Sequence, residues 1–506
     1  LLSLRRNRSL GPTYVEASRL DSCGFLHGHM TLVRDVLLGS SCPGIPECLG
    51  WFVSWEASAP TMGEREGLLS VPDVGHPCLL WDTFCDLLDG APWDAVEPRL
   101  PFFRQAGQSS GDSRFLREQF AGPGQYFFEA NLAQQALEIF WLKLSLFNQL
   151  CRQVASVHRL TRRPLLTLDP LHILIALPEQ GSSSLPVRWG CTVMVRSSDE
   201  VPHLPVDDMP QEMASGLHVV PQDVDQCYVS PAIRAWPLGR EVAATALIQS
   251  ADPIPEEGET SIRGLVRVHV IADEIMAPAF SQQDVFRLVL PSKIKKGTDV
   301  RVWARKVEAP ERGIVLSGVT DVLSPEIWNA FTGASGQAMS DARAVVYRSF
   351  PPSSDLYGLG MLLLRALLGS DVRRWERMTA VFPALLEGLA PAVQGVEPSD
   401  FAVLHGRIRE RLCEWKDLFL QPDISDDLWW DALTMALRAL STIPGFSYAV
   451  PLSGEAGVSD SSAVDVLSQD VAHLARRARV ELFEADERDR TIRTACDRLL
   501  ADLGIG

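Results

Sequence analysis

Alternation of hydrophobic and polar residues is the feature that most restricts how this chain folds. It occurs in four stretches bounded by Gly, Pro, Asp or Lys residues, which are Leu265–Ile271, Val285–Leu290, Val300–Val307 and Ile314–Val322. An alternation of period two places one row of side chains on the buried face of a sheet and the next row on its exposed face. The loops between the stretches are short, which favours antiparallel pairing. The sequence therefore predicts a small antiparallel sandwich or barrel, which we place at residues 236–340.

A second constraint comes from the segment between Arg163 and Ile175, with the sequence Arg-Pro-Leu-Leu-Thr-Leu-Asp-Pro-Leu-His-Ile-Leu-Ile. It resembles the catalytic loop of protein kinases, whose pattern is His-Arg-Asp-Leu-x-Pro-x-Asn-Ile-Leu. Pro170 and the later Ile-Leu pair match this pattern in register. Thr167, however, stands at the position of the catalytic aspartate, and His172 stands at that of the metal-binding asparagine. A hydroxyl is too weak a base for the first role, and imidazole is a poor ligand for magnesium.

Other positions extend the resemblance to protein kinases. The sequence Ser-Asp-Leu-Tyr-Gly-Leu-Gly at residues 354–360 is similar to the Ser-Asp-x-Tyr-Ser-Leu-Gly that opens the central helix of the kinase C-lobe. In that family the aspartate holds the backbone of the catalytic loop. The resemblance therefore implies structural roles for Asp355 and Gly360, and likewise for Pro170 and for Arg438 in the late helices.

The groups that transfer phosphate are missing from the positions where the resemblance places them. Arg34 occupies the place of the phosphate-binding lysine, and no lysine precedes Lys143. Arg188, Trp189 and Gly190 stand where kinases have the magnesium-binding Asp-Phe-Gly. An arginine there puts a positive charge where a cation should bind. We therefore expect no catalytic residue, no bound metal and no cofactor.

Two further residues near the loop are candidate bases, and we interpret both as structural. His158 belongs to the sequence His-Arg-Leu, but this lies upstream in a predicted helix at 131–158, so we expect His158 at the helix end, near the negative pole of the dipole. Asp169 is in the wrong register to be the kinase base. Thr167 and His172 are expected to be packed loop residues.

The resemblance implies an α+β, bilobal protein-kinase-like fold, with the β domain inserted between the activation segment and the central C-lobe helix. Residues 1–90 would form a degenerate N-lobe, with Cys78–Phe84 as its fifth strand and hinge. Residues 91–235 and 341–452 would form the two parts of the C-lobe. A linker and a C-terminal helix would follow at 453–506.

The C-terminal helix is predicted over residues 463–503. Apolar residues recur every seven positions from Val464 to Leu499, and Leu467 and Leu474 complete the seam for two heptads only. Two alternatives remain open. The helix either docks on the C-lobe or binds a partner protein.

Composition restricts the classes of partner. The 506 residues carry a net charge of −17, which disfavours general nucleic-acid binding. The ten cysteines contain no Cys-x-x-Cys or zinc-finger spacing, as expected for reduced thiols in the cytoplasm. The longest apolar stretch, around residues 358–369, contains an arginine and is too short to span a bilayer.

These observations favour a catalytically inactive pseudokinase that acts as a protein-binding scaffold or as a regulatory subunit of a larger assembly. Its partners would be other proteins, contacted through residues 236–340 and 463–503. The inserted module would display Arg301, Arg305 and Glu308 and could bind a partner strand at an exposed edge. The alternatives are an atypical nucleotide-binding enzyme with non-standard catalytic residues and an unrelated α+β interaction protein.

Overall fold

The structure is a computed structural model, and it divides into two compact units. The first unit comprises Leu1–Val201, Pro221–Val229 and Pro352–Gly506, and the second comprises Pro202–Val220 and Ser230–Pro351. The residues described are 2–6, 13–17, 47–52, 78–89, 132–161, 164–176, 191–195, 224–234, 240–254, 261–272, 284–291, 299–310, 312–369, 388–389, 391, 401–412, 424–443, 446–449 and 462–502.

The described residues form both strands and helices. In chain order the strands are β1 (Leu2–Arg6), β2 (Thr13–Ala17), β3 (Glu47–Phe52), β4 (Cys78–Leu80), β5 (Ile173–Ala176), β6 (Thr192–Val195), β7 (Arg240–Ile254), β8 (Arg263–Ile271), β9 (Val285–Pro291), β10 (Asp299–Glu308), β11 (Ile314–Thr320) and β12 (Ala338–Tyr347). The helices are α1 (Trp81–Leu88), α2 (Leu132–Thr161), α3 (Pro231–Arg234), α4 (Pro325–Gly333), α5 (Asp355–Leu368), α6 (Phe401–Leu412), α7 (Asp426–Leu440) and α8 (Ser462–Asp502). None of these described helices combines the length and the apolar character needed to cross a membrane.

The described residues of the first unit form two small antiparallel sheets. One has the strand order β2-β1-β3, and the other has the order β4-β5-β6 with β5 in the centre. The segment expected to be a strand and hinge at residues 78–84 is a strand only as far as Leu80, because α1 begins at Trp81. Seven of the eight residues of α1 are buried, so this helix contributes to the core of the unit.

Helix α5 forms the centre of that core. It is apolar around most of its circumference, as expected for a helix buried on all sides, and Leu356, Leu359 and Leu362 are at most 1% exposed. Gly360 allows α7 to approach, because a Cβ atom on Gly360 would lie 2.7 Å from Leu440 Cγ. A larger residue at 360 would therefore push the two helices apart.

The predicted C-terminal helix is confirmed as α8, and its first half docks on the first unit. Side-chain pairs join Ser425 to Glu481 at 3.3 Å and Arg438 to Asp470 at 3.3 Å, so α7 and α8 run antiparallel. The seam that faces α2 and α7 is fully buried at Val464, Leu467, Val471, Leu474 and Ala478. Docking is therefore the correct alternative for residues 463–478.

The second unit contains a closed antiparallel barrel with the cyclic strand order β10-β11-β8-β7-β12-β9. All four stretches predicted from alternation are strands of this barrel. Strands β9, β10 and β11 form a meander, and β12 returns beside β9 in a Greek-key arrangement. Because β12 pairs with both β7 and β9, it closes the barrel. The unit therefore extends to Pro351, beyond the boundary at residue 340 that the sequence predicts.

Closure also corrects two expectations about the surface of the module. A closed barrel has no free strand edge, so the expected route of partner binding by strand addition is wrong for these six strands. Arg301 and Glu308 are exposed as predicted, whereas Arg305 is half-buried.

The interior of the barrel is filled by apolar side chains, among them Phe286, Leu288 and Val302. Helix α4 contributes Trp328 and Phe331 to the same core. Ser324 caps this helix by accepting a hydrogen bond from Ile327 N, and proline occupies its first position. The barrel is therefore a packed domain with α4 as part of its core.

Candidate functional site

The loop between α2 and β5 is anchored by a carboxylate at the start of α5. Asp355 Oδ2 accepts a hydrogen bond from Leu165 N at 2.6 Å, and Oδ1 accepts one from Leu166 N at 2.9 Å. Asp355 is 2% exposed. Leu166 has a φ of +57°, in the left-handed region that residues other than glycine rarely adopt. The two bonds from Asp355 therefore hold the loop in a conformation that costs free energy when it is not constrained.

A histidine near the end of α2 completes this anchor. His158 Nε2 lies 2.7 Å from Asp355 Oδ2, and the two side chains are 0% and 1% exposed. The His158 tautomer with its proton on Nε2 can donate this hydrogen bond to the same oxygen that accepts Leu165 N. The sequence placed His158 at a helix end, but it did not predict this burial or this partner. The feature of the sequence that could have predicted this contact is a histidine a few residues before the loop that Asp355 holds.

Asp169 organises the second half of the loop. Its Oδ1 atom accepts hydrogen bonds from Leu171 N and His172 N, each at 3.0 Å, and lies 2.6 Å from His172 Nδ1. Its Oδ2 atom accepts a bond from Asp225 N at 2.8 Å. Asp169 is fully buried. Its carboxylate therefore ties the loop to the turn that begins at Asp225.

The structure brings together three of the residues singled out from the sequence. Thr167 is 8% exposed, His172 is 3% exposed, and Pro170 between them is buried. The expectation that Thr167 and His172 pack within the loop is confirmed. Leu171, between Pro170 and His172, is the exposed side chain of this turn at 48%.

Two structural positions lie away from the loop. Gly360 is in the contact between α5 and α7. Arg438 donates hydrogen bonds to Phe446 O at 3.1 Å and to Tyr448 Oη at 3.3 Å, and its guanidinium lies 4.1 Å from the centre of the Tyr448 ring. Together with its bond to Asp470, this arrangement lets Arg438 join α7 to the chain that follows it and to α8.

Four of the predicted positions lie outside the described residues. They are Arg34, Arg188, Trp189 and Gly190.

The glycine at 358 explains how closely the loop approaches α5. A Cβ atom on Gly358 would lie 2.9 Å from both Cβ and the carbonyl oxygen of Leu168, and 3.4 Å from the carbonyl oxygen of Tyr228. Any side chain at 358 would therefore displace the loop or the turn at Tyr228. This position matches a serine in the kinase pattern, so the sequence comparison did not single it out.

A partly buried charged cluster around Arg365 was missed by the sequence analysis. Arg365 lies 3.6 Å from Asp82 and 3.5 Å from Asp86, while Lys143 Nζ lies 2.7 Å from Asp89 Oδ1. Burial lowers the pKa of Arg365, but the two nearby carboxylates outweigh this effect and raise it overall. The available signal was the spacing of the three aspartates, which places Asp82 and Asp86 on one face of α1 and Asp89 on the same side at its C-cap.

The same cluster contacts the C-terminal end of α5. Lys143 donates to Ala366 O at 2.8 Å, and Arg365 donates to Gly369 O, so both cations satisfy backbone carbonyls at the C-terminus of that helix. Burial, with a further contribution from Asp82, raises the pKa of Tyr228 well above its usual value. These groups stabilise the packing around α5, and Tyr228 stays protonated at neutral pH.

Within the described part of the chain, no group of three or more His, Cys, Asp or Glu side chains is arranged to hold a metal ion. Comparison of the sequence and the structure with known protein families, with characterised proteins and with solved structures finds no match.

Proposed function

We propose that this protein is a pseudokinase, a kinase-like body that serves as a protein-binding scaffold or regulatory subunit and transfers no phosphate. The observation that carries the proposal is the bonding of Asp355 to the backbone at Leu165 and Leu166. The kinase resemblance predicted this bonding for an aspartate 190 residues from Leu165 in sequence. A chance match in one short motif would not place the two motifs in contact.

The side chains at the reactive positions support the absence of phosphoryl transfer. A kinase needs a carboxylate to accept the hydroxyl proton and an amide oxygen to bind magnesium. Thr167 and His172 stand at these places in the loop, and His172 bonds to Asp169 through Nδ1. Removing such groups costs several kcal/mol of transition-state stabilisation, on the order of 10² to 10³ in rate for each.

The decisive experiment is incubation of the pure protein with radiolabelled ATP, magnesium or manganese, and generic acceptor proteins. We expect no incorporation above a boiled control. A matched variant, Leu171→Ala, changes the exposed residue of the turn and should behave identically. Incorporation by the wild-type protein that is lost in Thr167→Ala or His172→Ala, but kept in Leu171→Ala, would overturn the proposal.

We also propose that the barrel is the principal protein-binding part of the chain. Residues 230–351 carry fourteen basic and fourteen acidic residues, whereas the whole chain has a net charge of −17. The barrel segment therefore has no net charge, and its electrostatic repulsion of an acidic partner is much weaker than that of the rest of the chain.

The outer surface of the barrel has an apolar patch that fits such a role. Leu265 on β8 and Val322 after β11 are each 48% exposed. Leu265 pairs in register with Val319 of β11, and the adjoining bridge joins Ile262 to Leu323, so these side chains lie at the same end of two neighbouring strands. Because the barrel has no edge, a partner would bind by side-chain contacts at this patch.

Leu265→Asp tests this surface, with Ser340→Asp on the exposed side of β12 as the matched control. We expect proteins that co-purify with the full chain to be lost only with Leu265→Asp, while both variants keep the wild-type melting temperature. Retention of the same proteins by Leu265→Asp, or their equal loss from both variants, would contradict the assignment of this patch.

A further inference from the structure

Helix α8 is longer than the two helices on which it packs. It contains 41 residues, which corresponds to about 61 Å, whereas α2 contains 30 residues and spans about 45 Å. Two contacts fix how far each neighbour extends along α8. Ser425 directly precedes α7 and forms a hydrogen bond with Glu481. The N-terminal end of the antiparallel α7 therefore lies beside Glu481.

The contact with α2 gives the second limit. Ser468 Oγ lies 3.2 Å from Asn148 Oδ1, and Asn148 is near the middle of α2. From Asn148, α2 extends at most about 16 residues in either direction. Because both helices rise by the same distance per residue, α2 can accompany α8 from Ser468 to about residue 484. The last part of α8, which we name the extension (residues 485–502), therefore lies beyond the ends of both helices.

The apolar period of the docked half continues into the extension. One α-helical face repeats every 18 residues, so the positions of Val464, Leu467, Leu474 and Ala478 recur at four later residues. Those later residues are Leu482, Ala485, Ile492 and Cys496. Asp489 and Leu499 continue the same stripe. The extension thus has the pattern of a helix that packs against another helix, with one charged residue in the stripe.

The charges that flank this stripe are divided into two blocks of opposite sign. Residues 481–487 contain four acidic and no basic residues, whereas residues 488–498 contain four arginines and two acidic residues. Parallel association of two identical helices would place like blocks together. Antiparallel association would place the acidic block of each helix against the basic block of the other.

We propose that the extension of α8 is a self-association site, at which a second copy of this chain binds antiparallel through the stripe containing Ile492 and Leu499. The two charge blocks make the helix complementary to itself in the antiparallel direction, so the partner that fits it is a second copy of this chain. A two-fold axis would pass near the boundary between the blocks, so that each contact occurs twice. This inference does not depend on the kinase resemblance.

Sedimentation velocity of the full chain in reducing buffer tests the proposal, with concentrations up to about 100 µM, because a contact of five turns binds weakly. We expect a species of twice the 55.8 kDa chain mass to increase with concentration. Ile492→Asp with Leu499→Asp should remove it. Val480→Ser with Phe483→Ser, at positions that are 55% and 57% exposed on another face, should leave it unchanged. A wild-type chain that stays monomeric over the whole range overturns the proposal.

Charge reversal tests the direction of pairing. One variant carries Glu484→Arg and Glu487→Arg, and the other carries Arg490→Glu and Arg493→Glu. The first variant neutralises the acidic block beside a block that stays basic, and the second makes both blocks acidic. We therefore expect each variant alone to be monomeric, because neither keeps two blocks of opposite sign, and we expect an equimolar mixture to recover the dimer. Dimers of either variant alone, or a mixture that stays monomeric, would contradict antiparallel pairing. Circular dichroism and the melting temperature, measured for every variant, establish that folding is retained.

Discussion

His158 Nε2 lies 2.7 Å from Asp355 Oδ2, and both residues are buried although 197 positions separate them in the sequence. The same carboxylate accepts two backbone N–H groups of the loop, so Asp355 joins the end of α2, the loop and the start of α5. Its position at the first turn of α5 is also favoured by the helix dipole. Loss of this carboxylate should therefore loosen three elements at once.

We expect Asp355→Ala to lower the stability of the protein. The substitution leaves the N–H groups of Leu165 and Leu166 buried without an acceptor, at a cost of roughly 1–3 kcal/mol. Chemical denaturation and the melting temperature measure the change. Asp341→Ala, at an exposed position on β12, is the matched control and should stay within about 0.5 kcal/mol of wild type. A melting temperature that is unchanged in Asp355→Ala would show that the loop does not need this anchor.

A double-mutant cycle should reveal direct coupling between His158 and Asp355. Residues that share one buried hydrogen bond show interaction energies of about 0.5–3 kcal/mol. We therefore expect the sum of the stability losses of His158→Ala and Asp355→Ala to be larger than the stability loss of the double variant. Denaturant unfolding of the four proteins provides the numbers. Strict additivity would mean that the two side chains act independently.

Gly264→Val should destabilise the barrel by displacing α4. A Cβ atom on Gly264 would lie 1.9 Å from Trp328 Cη2, and the indole cannot yield without leaving the core. Overpacking of this kind costs about 1–3 kcal/mol. Gly333→Ala is the control, because a Cβ atom there meets nothing within 4 Å. Thermal unfolding followed by near-ultraviolet circular dichroism should separate the two, and Trp328→Leu should partly rescue Gly264→Val. Equal stability of the two glycine variants would exclude this packing.

Stability should fall at alkaline pH because of buried thiols. Burial raises the pKa of Cys191 from 9.0 to about 12, and it raises the pKa values of Cys85 and Cys151 for the same reason. A raised pKa in the folded state means that the unfolded chain releases the thiol proton first. The stabilisation is therefore complete below about pH 9 and is lost as the pH rises toward 12.

Melting temperatures measured from pH 8 to 10.5 check this expectation. Cys191→Ala should decline less steeply with pH than wild type, because one of the shifted thiols is gone. Cys227→Ala, which alters a half-buried cysteine, is the control and should keep the wild-type slope. If Cys191→Ala and the wild type decline in parallel, burial of this thiol does not contribute to the pH dependence.

Alternation and periodicity were sufficient to identify four neighbouring strands of the barrel, β8 to β11, and the C-terminal helix α8. In each of these elements the pattern of apolar residues repeats the geometry of the backbone, with a period of two for strands and 3.6 for helices. The link between Asp355 and the loop was predicted from a family resemblance, because two short motifs recur together in that family. Composition and spacing alone would not have placed the two motifs in contact.

Strands β7 and β12 were not predicted, and their absence from the prediction hid the closure of the barrel. Both contain several alanines, which have low strand propensity, and alternation is weak where alanine replaces larger residues. They are strands because they pair with β8 and β9 and with each other, and the last of these pairings joins Val346 to Arg240 across more than a hundred residues. The burial of His158 and the cluster around Arg365 have the same origin. A short sequence window specifies which side chains a segment presents, whereas the partners that satisfy them come from distant segments and are selected only when the whole core packs.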